Sequence, residues 1–327
     1  MPGRQTQQEA IVDMAPTWIV PFGPNVGFKI AQSFAIQATM YGGFELRWTD
    51  NDKHKKWAGK VHKGAPDANF VHELQEDLTK VGCYGAKLDG DYGTGTRDAV
   101  KRFQWCLVNG THRSSTTSSL LKEIVNDPAI FVTGNTDFAT ARYLKAWVKD
   151  GFEVTGTLRV VAISKFSEFR KSADFERLDD ASIGADDMVV HKDFVDSLTA
   201  INKAAADAGV LFQVNQTMRV AGVPVGGAVV TPATNSQHLI GNAIDFNIID
   251  GGKTIHSSKM KWAELSQAAK DFITAVKDAG MRWGGDWEKR DPIHFDAFLD
   301  PKGPDFKILY FLNQRTIQRK QPILRAT

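Results

Sequence analysis

The 327-residue sequence is poor in cysteine and has almost no excess of either charge. Cys83 and Cys106 are its only cysteines, and its formal net charge is +2. Two cysteines exclude a disulfide-stapled scaffold or a cysteine-built metal knuckle. Both stand in apolar or aromatic surroundings, where buried free thiols are expected. The balanced charge lacks the basic field of a nucleic-acid-binding protein, so no nucleic-acid partner is expected. No stretch approaches the roughly 20 apolar residues of a membrane span. The first residues, Met1-Pro2-Gly3-Arg4-Gln5, are not followed by the apolar run of about 7–15 residues that a secretory signal needs. Synthesis in the cytoplasm without a signal peptide is the expectation. Action outside would then require release or injection.

Hydrophobic residues make up 42% and charged residues 24%, so an ordinary globular core can form without a metal or disulfide to hold it. The length suits about two domains, and a monomer is expected. No whole-domain repeat is visible. Residues 1–64 carry no motif and are left unassigned. Pro21, Pro24, Gly42 and Gly43 punctuate apolar residues there, which fits short strands and turns.

Residues 65–151 read as helical. Phe70 to Leu78 place apolar residues at helical spacing, and Gly82 closes that helix. The turn Leu88-Asp89-Gly90-Asp91-Tyr92-Gly93 follows. Thr94 or Thr96 then caps a helix whose apolar face is Ala99, Val100 and Phe103. Residues 110–119 form a polar loop, and 136–148 a third helix with Phe138, Ala141, Leu144 and Trp147. Asp89 and Asp91 lack the flanking ligands of a calcium loop.

Beyond Gly151 the pattern changes. Residues 152–187 are a linker or the start of the next domain, with a strand at 158–163. Residues 188–303 alternate short strands (210–215, 243–249, 293–298) with helices (193–207, 261–279), an α+β pattern with a small, mostly antiparallel sheet. Residues 304–327 carry Arg315, Arg319, Lys320 and Arg325, with no acid after Gln314, and read as a solvated basic tail.

Three features concentrate chemistry in 188–303. Ser236-Gln237-His238-Leu239-Ile240-Gly241-Asn242-Ala243-Ile244-Asp245 sets a histidine seven residues before an aspartate. Trp283-Gly284-Gly285-Asp286-Trp287 follows the amphipathic helix. Asp291-Pro292-Ile293-His294 sets a carboxylate three residues before a second histidine. A catalytic zinc takes three protein ligands and keeps one position open. His238, Asp245 and His294 supply two imidazoles and a carboxylate. Strand alternation puts Asp245 on one face with Ala243 and Asn247, and Ile244, Phe246 and Ile248 on the other. Zn²⁺ is the expected cofactor, acidifying water to a pKa near 7. Asp291 is the expected proton acceptor, with Asp286 and Glu288 as rivals.

Leu74-Gln75, Leu78, Gly82, Asp89-Gly90, Tyr92-Gly93, Thr96, Ala99-Val100 and Phe103-Gln104 stand in the order of the peptidoglycan-binding type 1 domain, which this segment resembles. The resemblance implies a three-helix module and peptidoglycan as the partner. Residues 236–245 meet the pattern Ser-x-His-x-x-Gly-x-Ala-x-Asp, and with His294 they resemble the zinc peptidase family of the D-alanyl-D-alanine carboxypeptidases and dipeptidases and the L-alanyl-D-glutamate endopeptidases. The Trp-Gly-Gly-Asp-Trp string and Asp291 most resemble the endopeptidase branch, common among phage endolysins. That resemblance implies a substrate-binding role for Arg219, assisted by Ser236. The segment between them is rich in Val and Gly and departs from the endolysin pattern.

The expected function is therefore cleavage of a stem-peptide bond, L-Ala–D-Glu, by a phage endolysin or an injected wall-degrading effector. D-Ala-D-Ala carboxypeptidase, cross-bridge peptidase and non-catalytic wall-binding protein are the alternatives.

Overall fold

The computed structural model describes residues 68–109, 130–223 and 235–326, together with short strands at 20–21, 27–30, 34–38, 44–48 and 112–113. The chain divides into two compact units, Met1–Val154 and Thr155–Thr327. Most of the expected polar loop at 110–119, and residues 224–234 between Arg219 and Ser236, lie outside the described residues.

The four N-terminal strands, β1 (Val20–Pro21), β2 (Gly27–Ile30), β3 (Phe34–Ala38) and β4 (Phe44–Trp48), pair antiparallel in chain order. Three helices follow: α1 (Ala68–Lys80), α2 (Thr94–Asn109) and α3 (Phe138–Asp150). Leu74 and Leu78, Val100 and Phe103, and Leu144 and Trp147 are buried at three- and four-residue spacing, as an amphipathic helix requires. The Phe103 and Trp147 rings meet edge to face at 5.2 Å. The Gln75 side chain is buried and fully used. Its amide donates to Asp89 Oδ1, to the Asp91 carbonyl and to Thr96 Oγ1, and its oxygen accepts from the Gly90 N–H at 3.0 Å. Gln104 does the same for the turn before α3, accepting from the N–H groups of Thr133 and Gly134. The matching glutamines are thus turn-holding residues. Strand β5 (His112–Arg113) pairs with β6 (Glu153–Val154).

In the second unit the main sheet has the order β13 (Arg282–Trp283), β14 (His294–Asp296), β11 (Ala243–Asp250), β10 (Leu211–Gln216) and β8 (Phe169–Glu176), with β12 (Lys253–Ile255) added to β11. Only the β10–β8 pairing is parallel. The expected mostly antiparallel sheet is present. Helices α4 (Phe194–Ala208) and α5 (Gln267–Asp278) contribute Leu198, Ile201, Phe272 and Ile273 to a core shared with Ile244, Phe246 and Ile248 of β11. Phe246 stacks on Phe295 at 4.4 Å and on Phe212 at 4.8 Å. Burial of each such ring contributes roughly 2–3 kcal/mol. Helix α5 is shorter than the expected 261–279, because Ser266 caps it by accepting from the Ala269 N–H at 3.1 Å.

Of the two readings of 152–187, the start of the next domain fits the structure: the second unit begins at Thr155, and the segment supplies β7 (Leu158–Ala162), where a strand is expected, together with β8 and β9 (Asp187–His191). One expectation needs correction. Residues 304–327 are not a solvated tail. Pro304–Gln318 form helix α6, which buries Phe306, Leu309 and Leu312, and Leu324–Arg325 form β15, paired with β7. The basic residues after Gln314 obscured this in the sequence. Arg315 is itself buried, and Arg325 grips Asp187 through both guanidinium nitrogens, at 2.7 and 3.1 Å. No helix among the described residues is long and apolar enough to cross a membrane.

Candidate metal centre

His238 lies in a short 3-10 turn, Gln237–Ile240, that precedes β11. Ser236 opens the turn, its Oγ accepting from the His238 N–H at 3.3 Å. Gly241 closes it at φ 81°, where a Cβ would lie 2.6 Å from the backbone nitrogen of His191. Only glycine fits that position without strain. The chain then enters β11, whose register pairs Asp245 with His294 of β14. Two adjacent strands therefore bring the carboxylate and the second imidazole together, and the turn delivers the first.

His238 Nε2, Asp245 Oδ1 and His294 Nδ1 form a triangle with sides of 3.1, 3.1 and 3.0 Å. All three residues are buried. Zinc bonds of about 2.0–2.1 Å set tetrahedral donors about 3.3 Å apart, so the three atoms fit one small ion and leave a fourth position open. The other ring nitrogens are tied back. His238 Nδ1 bonds the Thr217 carbonyl, and His294 Nε2 donates to Asp296 Oδ2 at 3.1 Å. Each imidazole thereby turns its other ring nitrogen, Nε2 of His238 and Nδ1 of His294, toward the triangle.

Burial alone would raise Asp245, but the two imidazoles outweigh it and hold the carboxyl far below its usual range. Burial depresses His238. Burial also opposes charge on His294, yet its bonds to Asp245 and Asp296 push it up to about 9. Trp287 covers His294 with ring centroids 5.0 Å apart.

Asp291 sits beside this group. Its carboxyl is raised, first by burial and then by the charge of Asp245, and it feels His294 and Arg219 in the opposite sense. Its loop is fixed from both sides. The Asp291 N–H donates to the Gly284 carbonyl at 2.8 Å, and the Trp283 indole N–H donates to the Pro292 carbonyl at 2.7 Å. A Cβ on Gly284 would run into the Asp291 carbonyl oxygen. The Trp-Gly-Gly string is thus the seat of the Asp291 loop, and Trp283 is core. Of the rivals, Asp286 pairs with Lys277 at 2.6 Å and Glu288 is exposed.

Arg219 reaches the centre as well. Its Nη2 donates to Asp245 Oδ2 at 2.6 Å. Its Nε bonds Gln216, which in turn bonds Glu176. No hydrogen bond links Ser236 to Arg219 among the described residues. Strand alternation places Asp296 on the face of His294 in the sequence already, but sequence reasoning gave it no role, and it missed Arg282, Gln216 and Glu176. These three come from separate strands and leave no local pattern.

The fold and site together set a two-histidine, one-aspartate cluster on a small, mostly antiparallel sheet. Residues 230–297 match the family model described as D-alanyl-D-alanine carboxypeptidase, and residues 67–106 match that described as putative peptidoglycan binding domain. The chain thus carries a peptidase domain of that family, preceded by a peptidoglycan-binding domain. Among solved structures, the L-Ala D-Glu endopeptidase ChiX of Serratia marcescens is 24% identical, covering 33% of this chain and 79% of its own, with a TM-score of 0.24. None of the curated proteins compared with the chain matches it.

Proposed function

We propose that the chain is a zinc-dependent peptidoglycan endopeptidase that hydrolyses the L-Ala–D-Glu bond of the stem peptide, with His238, Asp245 and His294 as the metal ligands. The observation that carries this reading is the triangle of donor atoms with Asp291 beside it. Zinc at such a centre supplies Lewis-acid activation of water and of the scissile carbonyl. Asp291 takes the proton from the attacking water and passes it to the leaving amine. Its raised carboxyl suits that task, since a base works best with a pKa near the working pH. Arg219 offers its remaining nitrogen, Nη1, to a substrate carboxylate while Nη2 steadies Asp245. Ser236 serves the same subsite by fixing the turn that carries His238. The choice of bond follows the endopeptidase-like Trp-Gly-Gly-Asp-Trp string and the aspartate at 291. The N-terminal helices hold the enzyme on the wall, which it reaches by phage-type lysis or by injection.

The test is digestion of purified peptidoglycan with and without chelator, with new termini read by mass spectrometry. New N-terminal D-Glu, lost with chelator and restored by zinc, is the expected result. Released D-Ala would reassign the bond. Binding without cleavage would refute the enzymatic reading.

A further inference from the structure

Asp296 is 1% exposed, the deepest carboxylate at the centre, and the proposed reaction has no use for it. Its Oδ2 accepts from His294 Nε2 at 3.1 Å. Arg282, its partner across the β13–β14 pairing, closes a two-pronged bond on it: Nε to Oδ1 at 2.7 Å and Nη2 to Oδ2 at 2.7 Å. The guanidinium is itself pinned, lying 3.8 Å over the Phe298 ring and 5.5 Å from that of Trp287. Trp287 also packs on His294.

We propose that Asp296, locked by Arg282, is the positioning residue that fixes the ring plane and tautomer of His294 and so sets the affinity of the centre for zinc. This inference rests on the metal-site reading above. A buried carboxylate behind a ligating imidazole makes it a better donor and stops the ring from turning. A buried carboxylate without a cation would be costly, and Arg282 removes that cost while fixing the rotamer. A bidentate arginine fork does this where a lysine would not. The device lies wholly outside the triangle of ligand atoms.

The experiment uses the full chain. Zinc affinity is measured by competition with a chromophoric chelator for wild type, Asp296→Asn and Arg282→Gln. Imidazole N–H protons are followed by NMR with ¹⁵N-histidine labelling, and thermal melts of the metal-free forms check folding. Asp296→Asn is expected to weaken zinc binding by about 10- to 100-fold, and Arg282→Gln by about 10-fold. The His294 N–H signal should shift or vanish in Asp296→Asn, while that of His238, bonded to Thr217, stays. A merely structural carboxylate would not move one imidazole signal selectively. If Asp296→Asn does not fold, Arg282→Gln decides alone. Wild-type zinc affinity with an unchanged His294 signal in the folded variants overturns this proposal and leaves the metal site standing. A wild-type chain that binds no zinc overturns both.

Discussion

Gln314 clamps Arg219 from behind: its amide donates to the Arg219 carbonyl at 2.9 Å and to the Leu239 carbonyl at 2.7 Å, and its oxygen accepts from the Ala221 N–H at 2.8 Å. Next to it, Asn313 donates to the Ile240 carbonyl at 3.0 Å and accepts from the Thr157 N–H at 2.8 Å. Helix α6 is therefore the buttress of the turn that carries His238. Gln314→Leu keeps the bulk but strands three backbone groups. The expected loss is about 2–4 kcal/mol in urea denaturation of the metal-free protein, because buried unpaired groups cost more than a bond contributes. Wild-type stability in this variant would show that water replaces the clamp.

Asp291→Asn separates chemistry from binding. The amide cannot accept the proton, yet nearly matches the carboxylate in shape. Hydrolysis of stem peptides should fall by about 10²–10⁴, while zinc affinity from chelator competition stays within a few-fold of wild type. Wild-type turnover would remove Asp291 from the mechanism. Loss of zinc together with turnover would make it a ligand instead.

The site was legible in the sequence where one short segment carries several constraints at once. Residues 236–245 hold a cap, a ligand, a left-handed glycine and a strand ligand, and their match to a known family pattern, not spacing alone, made a shared site the expectation. Helix α6 was not legible, because Asn313 and Gln314 are buried polar residues whose partners lie 73 to 156 positions away. Polar burial of that kind leaves no periodicity. The boundary of α5 was missed because Ser266 as a cap competes with an apolar pattern that runs on through Trp262. Gln75 and Gln104 showed as matches in order, but only their bonds reveal that they hold turns.

Gly284→Ala tests the seat of the Asp291 loop. The added methyl meets the Asp291 carbonyl oxygen, a backbone atom with little freedom. Overpacking of this kind typically costs about 1–3 kcal/mol, and here it displaces the proposed base. The expected outcome is a lower melting temperature and a fall in kcat larger than any change in KM. A variant with wild-type kcat would mean that the loop yields without moving the carboxylate.

Asp187 gives a pH signature that is independent of the metal. Its bond to Arg325 and that from the Gly184 N–H hold its carboxyl below the usual carboxylate range, against a smaller opposing effect of burial. A depressed folded-state value means that the native state binds its proton later than the unfolded chain does. The stabilisation is then fully present above the unfolded value of about 3.9 and is lost as pH falls through the folded value. Asp187→Asn should therefore melt a few degrees below wild type at pH 7, with the same gap at pH 5. The gap should begin to narrow below about pH 4 and close as the folded wild type takes up the proton, losing the charge that the variant never had. Both proteins are melted with chelator present, so that release of a metal in acid adds nothing to either curve. A gap that does not shrink at all as pH is lowered from 5 to the acid limit of folding would show that Asp187 acts through packing alone, and the absence of a gap at pH 7 would show that β15 contributes nothing to the fold through this pair.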